Sequence, residues 1–145
     1  MRKTLAFVLV AGVVSLAAKP VWAHHAFAAE FDSSKPIKLK GTVTKMEWIN
    51  PHAWIHIDVK GEDGKVSPWM IEAAAPNSLL RRGFTKNSLL PGMEILVEGY
   101  QAKDEAHRAN GSIITFTDGR RLFVGAPAGE PGAPPGRTNS ATDRR

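Results

Sequence analysis

The sequence predicts an all-β protein with one short helix, built as a small five-stranded OB-fold-like barrel. Apolar and polar residues alternate with a period of two in several short segments, which is the pattern of half-buried strands. Turn signals rich in glycine, proline, asparagine and aspartate separate these segments. One segment with helical features lies between the third and fourth strands, as in an OB fold. Another small β-barrel or a β-sandwich is the alternative that this element order leaves open.

The first strand is predicted in "IKLKGTVTKMEW", where the alternating positions are Ile37, Leu39, Gly41 and Val43. The alternation loses its phase near Lys45, which is typical of a β-bulge. A glycine and a bulge both allow a strand to bend, so this strand is expected to serve both sides of the barrel.

The stretch "WINPHAWIHID" is predicted to hold a tight connection followed by the second strand. Its Asn-Pro step indicates a turn or bulge, because proline fixes its own φ and keeps the preceding residue out of the helical region. The strand alternates cleanly, so the period of two assigns its faces. The inner face is predicted to carry Ala53, Ile55, Ile57 and Val59. The outer face is predicted to carry His52, Trp54, His56 and Asp58.

The remaining elements follow in order along the chain. The turn "GEDGK" leads into the third strand, "VSPWMIEA". The segment "PNSLLRRGFTKNSL" predicts a short helix that is capped by Asn77 or Ser78 and stopped by Gly83. A Pro-Gly turn leads into the fourth strand, "MEILVEGYQAK", and "SIITFT" is the fifth. An Asp-Gly hairpin turn then precedes a short "RLFV" segment.

Residues 1–23 have the features of a secretory signal peptide. A basic start precedes the apolar run "TLAFVLVAGVVSLAA", and Val21-Trp22-Ala23 suits a cleavage site. The run holds 15 residues, fewer than the ~20 that a membrane-spanning helix needs, so a retained membrane anchor is the less favoured alternative. The mature protein is therefore predicted to be periplasmic, with no stable membrane anchor after cleavage.

The chain after the signal peptide is predicted to form one domain with an extension at each end. Residues 24–36 are expected to form an N-terminal arm, and residues 37–124 the OB-like barrel domain. Residues 125–145 are rich in glycine, proline and small polar residues. They cannot bury enough apolar surface to offset the entropy of ordering, so a disordered tail is predicted.

Composition argues against several classes of function. The signal peptide holds three of the 19 Lys and Arg residues and none of the 14 acidic residues, which leaves a net charge of +2. Such a balanced chain predicts no nucleic-acid partner. The chain has no cysteine, which excludes disulfides and thiolate metal sites and, together with export, favours a bacterial periplasm. No Ser-His-Asp set or paired carboxylates can be recognised, so an enzyme is not expected.

The histidines are the strongest candidates for a functional site. Cleavage after Ala23 would give a mature chain that begins with His24 and His25. The terminal amine and a histidine ring can hold one ion together, and nitrogen ligands without sulfur suit Cu(II). One or more of the barrel histidines His52, His56 and His107 are expected to complete this copper site. The Cα atoms of His52 and His56 should lie ~13 Å apart along an extended strand, so each would act singly.

A metal-free interpretation is the main alternative. In it, the outer face of the second strand docks an unknown periplasmic protein or a small ligand through Trp54, His56 and Asp58. An exposed polar face with no binding role is the simplest alternative to both interpretations. His107, in the predicted polar loop "DEAHRANG", is expected to be exposed.

Four segments together resemble one bacterial exported family. They are "HHAFAAEFD", "GTVTKMEWINPHAWIHIDV", "LLRRGFT" and "LLPGMEILVEGYQAKD". From about His24 to Phe123 the chain is similar to the domain-of-unknown-function family numbered 6152. This resemblance implies an exported, periplasmic, single-domain protein. It implies no particular function and no catalytic residues.

Overall fold

The computed structural model of the protein describes residues 27–126. Its elements are α1 (Phe27–Glu30), β1 (Phe31–Glu47), β2 (Trp54–Lys60), β3 (Val66–Glu72), α2 (Pro76–Leu80), β4 (Glu94–Ala102), β5 (Arg108–Phe116) and β6 (Arg121–Phe123). The strands form one six-stranded sheet. The predicted all-β class, with a short helix between the third and fourth strands, is confirmed. The predicted signal peptide, His24 and His25 lie outside the described residues, and so do residues 127–145.

Five of the strands close into a ring. The sheet order is β3-β2-β1-β4-β5-β6, and β3 also pairs with β5 in parallel. This extra pairing sets Met70 opposite Arg108 and Glu72 opposite Asn110. The long strand β1 serves both halves of the ring, because one part of it pairs with β2 and another with β4. A register shift between Val43 and Lys45 confirms the predicted bulge.

The first strand begins earlier than its alternation indicates. Residues 31–36 are predicted to belong to an arm before the strand, whereas in the structure β1 starts at Phe31. A register shift separates Phe31 from Pro36, so no regular pattern marks this part of the strand. Phe31 is nevertheless buried, in a small second cluster with Phe27 and Ala102 against which Tyr100 packs.

The helix α2 also begins differently from the prediction. Its N-cap is Ala75, and no side chain caps it, so the predicted cap at Asn77 or Ser78 is wrong. Pro76 occupies the first turn, where its missing N–H costs no helical hydrogen bond. The Ser78 hydroxyl instead accepts a hydrogen bond from Arg81 Nη2 at 3.0 Å. The predicted stop is correct, because Gly83 follows the helix with a φ of 78°.

The interior of the ring is apolar and matches the predicted inner face of β2. Ala53, Ile55 and Ile57 are almost fully buried, and Val59 packs against the same cluster at partial burial. Trp48 closes part of this cluster by stacking on Phe84, with ring centroids 6.2 Å apart. The register of β2 is therefore the predicted one, and its other residues face outward.

The outer face of the ring carries a row of polar and aromatic residues. Cross-strand partners share a face, so the pairing places Trp54 beside Glu72, Glu72 beside Asn110, and Asn110 beside Tyr100. Glu72 and Asn110 are buried although they belong to this outer row. The segment formed by α1 and Phe31 packs beside this row, since the Phe27 ring contacts Tyr100 at 5.5 Å and Phe31 lines the same cleft as Glu72. This packing creates the cleft described below.

The C-terminal end of the described chain is also packed. Gly125 and Ala126, which the sequence assigned to the tail, are buried. Arg82 Nη1 donates a hydrogen bond to the Gly125 carbonyl oxygen at 2.8 Å, and its guanidinium lies over the Phe123 ring. Arg82 therefore holds the chain after β6 against the end of the helical segment.

Candidate functional site

A cleft of about 360 Å³ lies on the outer face of β2 and β3, where α1 and the start of β1 cover the sheet. It is outside the apolar interior of the ring. Its lining residues are Glu30, Phe31, Ile49, Asn50, Pro51, His52, Trp54, Glu72 and Arg108. The cleft therefore combines apolar walls with two carboxylates, one imidazole and one guanidinium.

The backbone on either side of His52 determines where its side chain lies. His52 follows the cis Asn50–Pro51 peptide bond and directly precedes Ala53. Ala53 exchanges backbone hydrogen bonds with the chain after β3: its N–H donates to Ala74 and its carbonyl accepts from Ala73. These bonds hold the connection before β2 against the end of β3. The His52 ring is thereby brought next to Glu72.

His52 and Glu72 form a close, largely buried pair. Nδ1 of His52 lies 2.6 Å from Oε1 of Glu72, and the side chains are 18% and 6% exposed. This hydrogen bond raises the pKa of His52 above its ordinary value of 6.5, and burial opposes the increase. The charges of Glu72 and Glu30 add smaller increases to the pKa of the same ring.

The pair determines which nitrogen of His52 can bind a metal ion or accept a proton. Nδ1 carries the proton that Glu72 accepts, so in the neutral ring Nε2 carries the lone pair. A carboxylate at this position fixes the tautomer and the ring orientation, and it makes the other nitrogen a better donor to a metal ion. The same geometry also suits proton acceptance by Nε2. His52 is the residue of the cleft with the clearest chemical capability.

The other residues proposed from the sequence are distributed unevenly around the cleft. Trp54 lines it together with His52. His56 lies further along β2, with Nε2 buried and 3.6 Å from Glu47 Oε1, which is too long for a hydrogen bond. Asp58 lies beyond His56, opposite Pro68 in β3. The structure thus brings His52 and Trp54 together and leaves His56 and Asp58 outside the lining of the cleft.

The carboxylate next to His56 is that of Glu47, which also binds a second residue. Glu47 is also ion-paired with Lys45, and this hydrogen bond is the main reason that the pKa of Glu47 lies below its ordinary value. The positive charge of His56 makes only a smaller contribution to this decrease. Glu47 is therefore occupied mainly by the lysine rather than by the imidazole.

His107 is exposed, as expected, but its ring has a packing role. It stacks on Trp69 with ring centroids 4.9 Å apart and an angle of 14° between the ring planes. Its carbonyl oxygen accepts a hydrogen bond from the Met70 N–H at 3.0 Å. These contacts support the parallel pairing that closes the ring between β3 and β5.

Sequence reasoning missed three charged residues of the cleft, namely Glu30, Glu72 and Arg108. The position of Glu72 can be predicted from the sequence. Pairing the residues of β2 and β3 outward from the turn between them places Glu72 opposite Trp54. Glu30 and Arg108 reach the cleft through α1 and through the β3–β5 pairing. No short sequence pattern connects those elements to β2.

Two further observations concern the described part of the chain. Within residues 27–126, no group of three or more histidine or acidic side chains is arranged to hold a metal ion. None of the helices in the same range has the length and apolar character of a membrane span.

The comparisons with known proteins assign a family. No curated protein and no solved structure matches the chain. The family described as "Family of unknown function (DUF6152)" matches residues 11–111, which is more than half of the sequence and agrees with the resemblance of its four segments. The chain belongs to the DUF6152 family.

Proposed function

We propose that this protein is a non-enzymatic periplasmic binding protein that holds one Cu(II) ion at the cleft through Nε2 of His52. The observation that carries the proposal is the 2.6 Å contact between His52 Nδ1 and the buried Glu72 carboxylate. Metal-binding histidines almost always donate their second ring N–H to such a partner. His52 is the strand histidine of this proposal because the Nε2 atom of His56 is buried against Glu47.

The remaining ligands come, in this proposal, from the mature N-terminus. His24 and His25 lie outside the described residues, and one residue separates His25 from Phe27 in the sequence. At most ~3.6 Å per residue, His25 lies within roughly 8 Å of Phe27 along the chain. Phe27 packs against Phe31 with ring centroids 5.8 Å apart, and Phe31 lines the cleft. Export and cleavage after Ala23 would therefore leave a free amine and two imidazoles within a few residues of Phe31, which lines the same cleft as His52.

The chemistry of the donors favours copper over other divalent ions. The chain has no cysteine, so the soft thiolate ligands of many zinc and iron–sulfur sites are absent. An amine and imidazoles are nitrogen donors, for which Cu(II) has the highest affinity in the first-row divalent series. Glu30 and Glu72 at the cleft also supply negative charge next to the ion.

The test is a Cu(II) titration by calorimetry and electron paramagnetic resonance on naturally processed protein. We expect one ion per chain, and a loss of affinity of at least about 100-fold in His52→Ala, which removes a direct ligand. His56→Ala is the matched control, since it removes a histidine from the same face of β2, and it should bind as the wild type does. Unchanged binding in His52→Ala would refute the site.

A second form of the protein tests the contribution of the terminus by itself. Acetylation of the His24 α-amine converts it to an amide, whose nitrogen no longer offers a lone pair. An added glycine would not serve, because the new chain start Gly-His-His could itself hold Cu(II) through its amine, two backbone amides and the His25 ring. We expect most of the affinity to be lost, while the coordination of His52 keeps a weak nitrogen signal in the resonance spectrum. Equal affinity in the two forms would remove the terminal amine from the proposed ligand set.

The second candidate is a metal-free binding module that docks a small ligand or a protein partner at Trp54. The size of the cleft favours this candidate, because about 360 Å³ is more space than a single ion needs. Phe31, Ile49 and Trp54 supply apolar walls for an organic group. Absence of Cu(II) binding by processed wild-type protein would favour this second candidate.

A further inference from the structure

Arg108 lies where the ring closes. It is the first residue of β5 and pairs with Met70 of β3. Its backbone N–H donates to the Ala106 carbonyl at 2.7 Å, which fixes the chain immediately before the strand. Its side chain lines the cleft and is about one-third exposed, at 34%. The pairing of β5 with β3 therefore places the backbone of Arg108 at the wall of the cleft.

The guanidinium of Arg108 is only partly occupied by the protein. Nη2 lies 3.4 Å from Oδ2 of Asp104, a long contact with a mostly exposed carboxylate. Nε is buried and has no hydrogen-bond partner among residues 27–126. Buried donors in native proteins are almost always paired, so a buried Nε–H without a partner in this range points to a group that the cleft binds.

We propose that Arg108 is an anion-binding residue of the cleft and that its ligand is a small organic carboxylate. The Nε–H and one Nη–H of arginine form parallel donors whose spacing matches the two oxygens of a carboxylate. The apolar walls formed by Phe31, Ile49 and Trp54 favour an organic acid over an inorganic anion. This inference goes beyond copper binding and does not depend on it.

Within residues 27–126, the carboxylate paired with the Arg108 guanidinium is that of Asp104, which is not among the lining residues of the cleft. Glu72 accepts its short hydrogen bond from His52, and the charge of Glu30 acts on the same imidazole. The cleft therefore has an acidic part around His52 and a basic part at Arg108. A carboxylate bound to Arg108 would extend its apolar portion along Trp54 and Ile49, which both line the cleft.

The experiment uses full-length, naturally processed protein labelled with ¹⁵N, with benzoate as the probe and benzamide as its neutral control. Arginine Nε–H groups give separate NMR signals, and Arg108→Lys identifies the signal of Arg108. We expect a saturable shift of this signal with benzoate and none with benzamide. Arg108→Lys keeps the positive charge but loses the two parallel N–H donors of the guanidinium, so its benzoate affinity should fall about tenfold. Arg120→Lys changes an exposed arginine paired with Asp118 and should bind as the wild type does.

A second variant tests carboxylate binding by Arg108 if Arg108→Lys does not fold. Asp104→Asn removes the carboxylate that contacts the same guanidinium, so benzoate should bind more tightly. Equal effects of benzoate and benzamide, an unshifted Arg108 signal, or unchanged affinity in both variants would overturn the proposal. Repeating the titration with and without Cu(II) separates it from the copper site. If the protein binds benzoate but not Cu(II), only the proposed function is refuted. If it binds Cu(II) but not benzoate, only this inference is refuted.

Discussion

Two histidine–glutamate pairs lie along the outer face of β2. They differ in the distance between the two side chains, in the burial of the glutamate, and in whether another residue binds that glutamate. His52 Nδ1 is 2.6 Å from the buried carboxylate of Glu72, and this contact raises the pKa of the imidazole. His56 Nε2 is 3.6 Å from Glu47, which is more exposed and is also paired with Lys45. One pair lines a cleft, and the other lies on the surface of the sheet beside it.

Residue type and spacing do not by themselves make a site in this protein. Both histidines follow the same period of two, and each has a glutamate as a neighbour on the next strand. The difference comes from the surroundings of the glutamate. Glu72 is 6% exposed and lies in the cleft beside Glu30 and Phe31, whereas Glu47 is 27% exposed and is paired with Lys45. Burial therefore gives one pair a defined geometry and leaves the other loosely arranged.

The largest expected difference between the two pairs concerns copper affinity. Glu72→Gln keeps the size of the side chain but removes the charge that orients His52, so the affinity should fall about 10- to 100-fold. Glu47→Gln is the matched change in the other pair and should leave the affinity unchanged. Calorimetric titration of processed protein with Cu(II) measures both. Equal losses in the two variants would mean that charge alone, and not the oriented imidazole, attracts the ion.

The next largest effect concerns the stability of the metal-free protein. His52→Ala should lower the free energy of unfolding by about 1–3 kcal/mol, because a buried carboxylate loses its hydrogen-bond donor. His56→Ala removes a ring nitrogen that has no hydrogen-bond partner among residues 27–126, so its effect should stay below about 0.5 kcal/mol. Urea unfolding followed by tryptophan fluorescence measures both values. A larger loss in His56→Ala would reverse the assignment of the two pairs.

A smaller effect is the pH dependence of the stability that His52 provides. Its pKa in the folded protein lies above the ordinary value of 6.5, so the protonated ring binds Glu72 better than the neutral ring does. The stabilisation is fully present below the unfolded pKa and is lost as pH rises through the folded pKa. In metal-free protein, the difference in unfolding free energy between wild type and His52→Ala should therefore be largest below pH 6.5 and decrease as the pH rises above that value. A difference that grows with pH would contradict the raised pKa.

The smallest effect is expected at Lys45. Lys45→Met removes the main partner of Glu47, so the pKa of that carboxyl should rise towards its ordinary value. An exposed ion pair contributes little to folding, and the thermal midpoint should change by less than about 2 °C. Carbon-detected NMR titration of the Glu47 carboxyl and a thermal melt test both statements. A change in copper affinity would show that the surface pair is coupled to the cleft.

Local features of the sequence were sufficient for most of the ring. The period of two correctly predicts that Ala53, Ile55 and Ile57 face inward, because alternation is a property of each strand by itself. The loss of phase near Lys45 correctly predicts the bulge, and Gly83 correctly predicts the end of the helical segment. The α2 cap was predicted wrongly because proline can begin a helix without the side-chain cap that Asn77 or Ser78 would supply.

The candidate site depended on contacts between elements that are distant in the sequence. The sequence by itself selected His52 and Trp54 as outward-facing residues, but it did not distinguish them from His56 and Asp58. Glu72 meets His52 through the pairing of β2 with β3, and Arg108 arrives through the parallel pairing of β3 with β5. Glu30 and Phe31 then complete the cleft in which the pair lies. Tertiary structure decided the site because burial and hydrogen-bond partners depend on which elements pack together, and no local pattern contains that information.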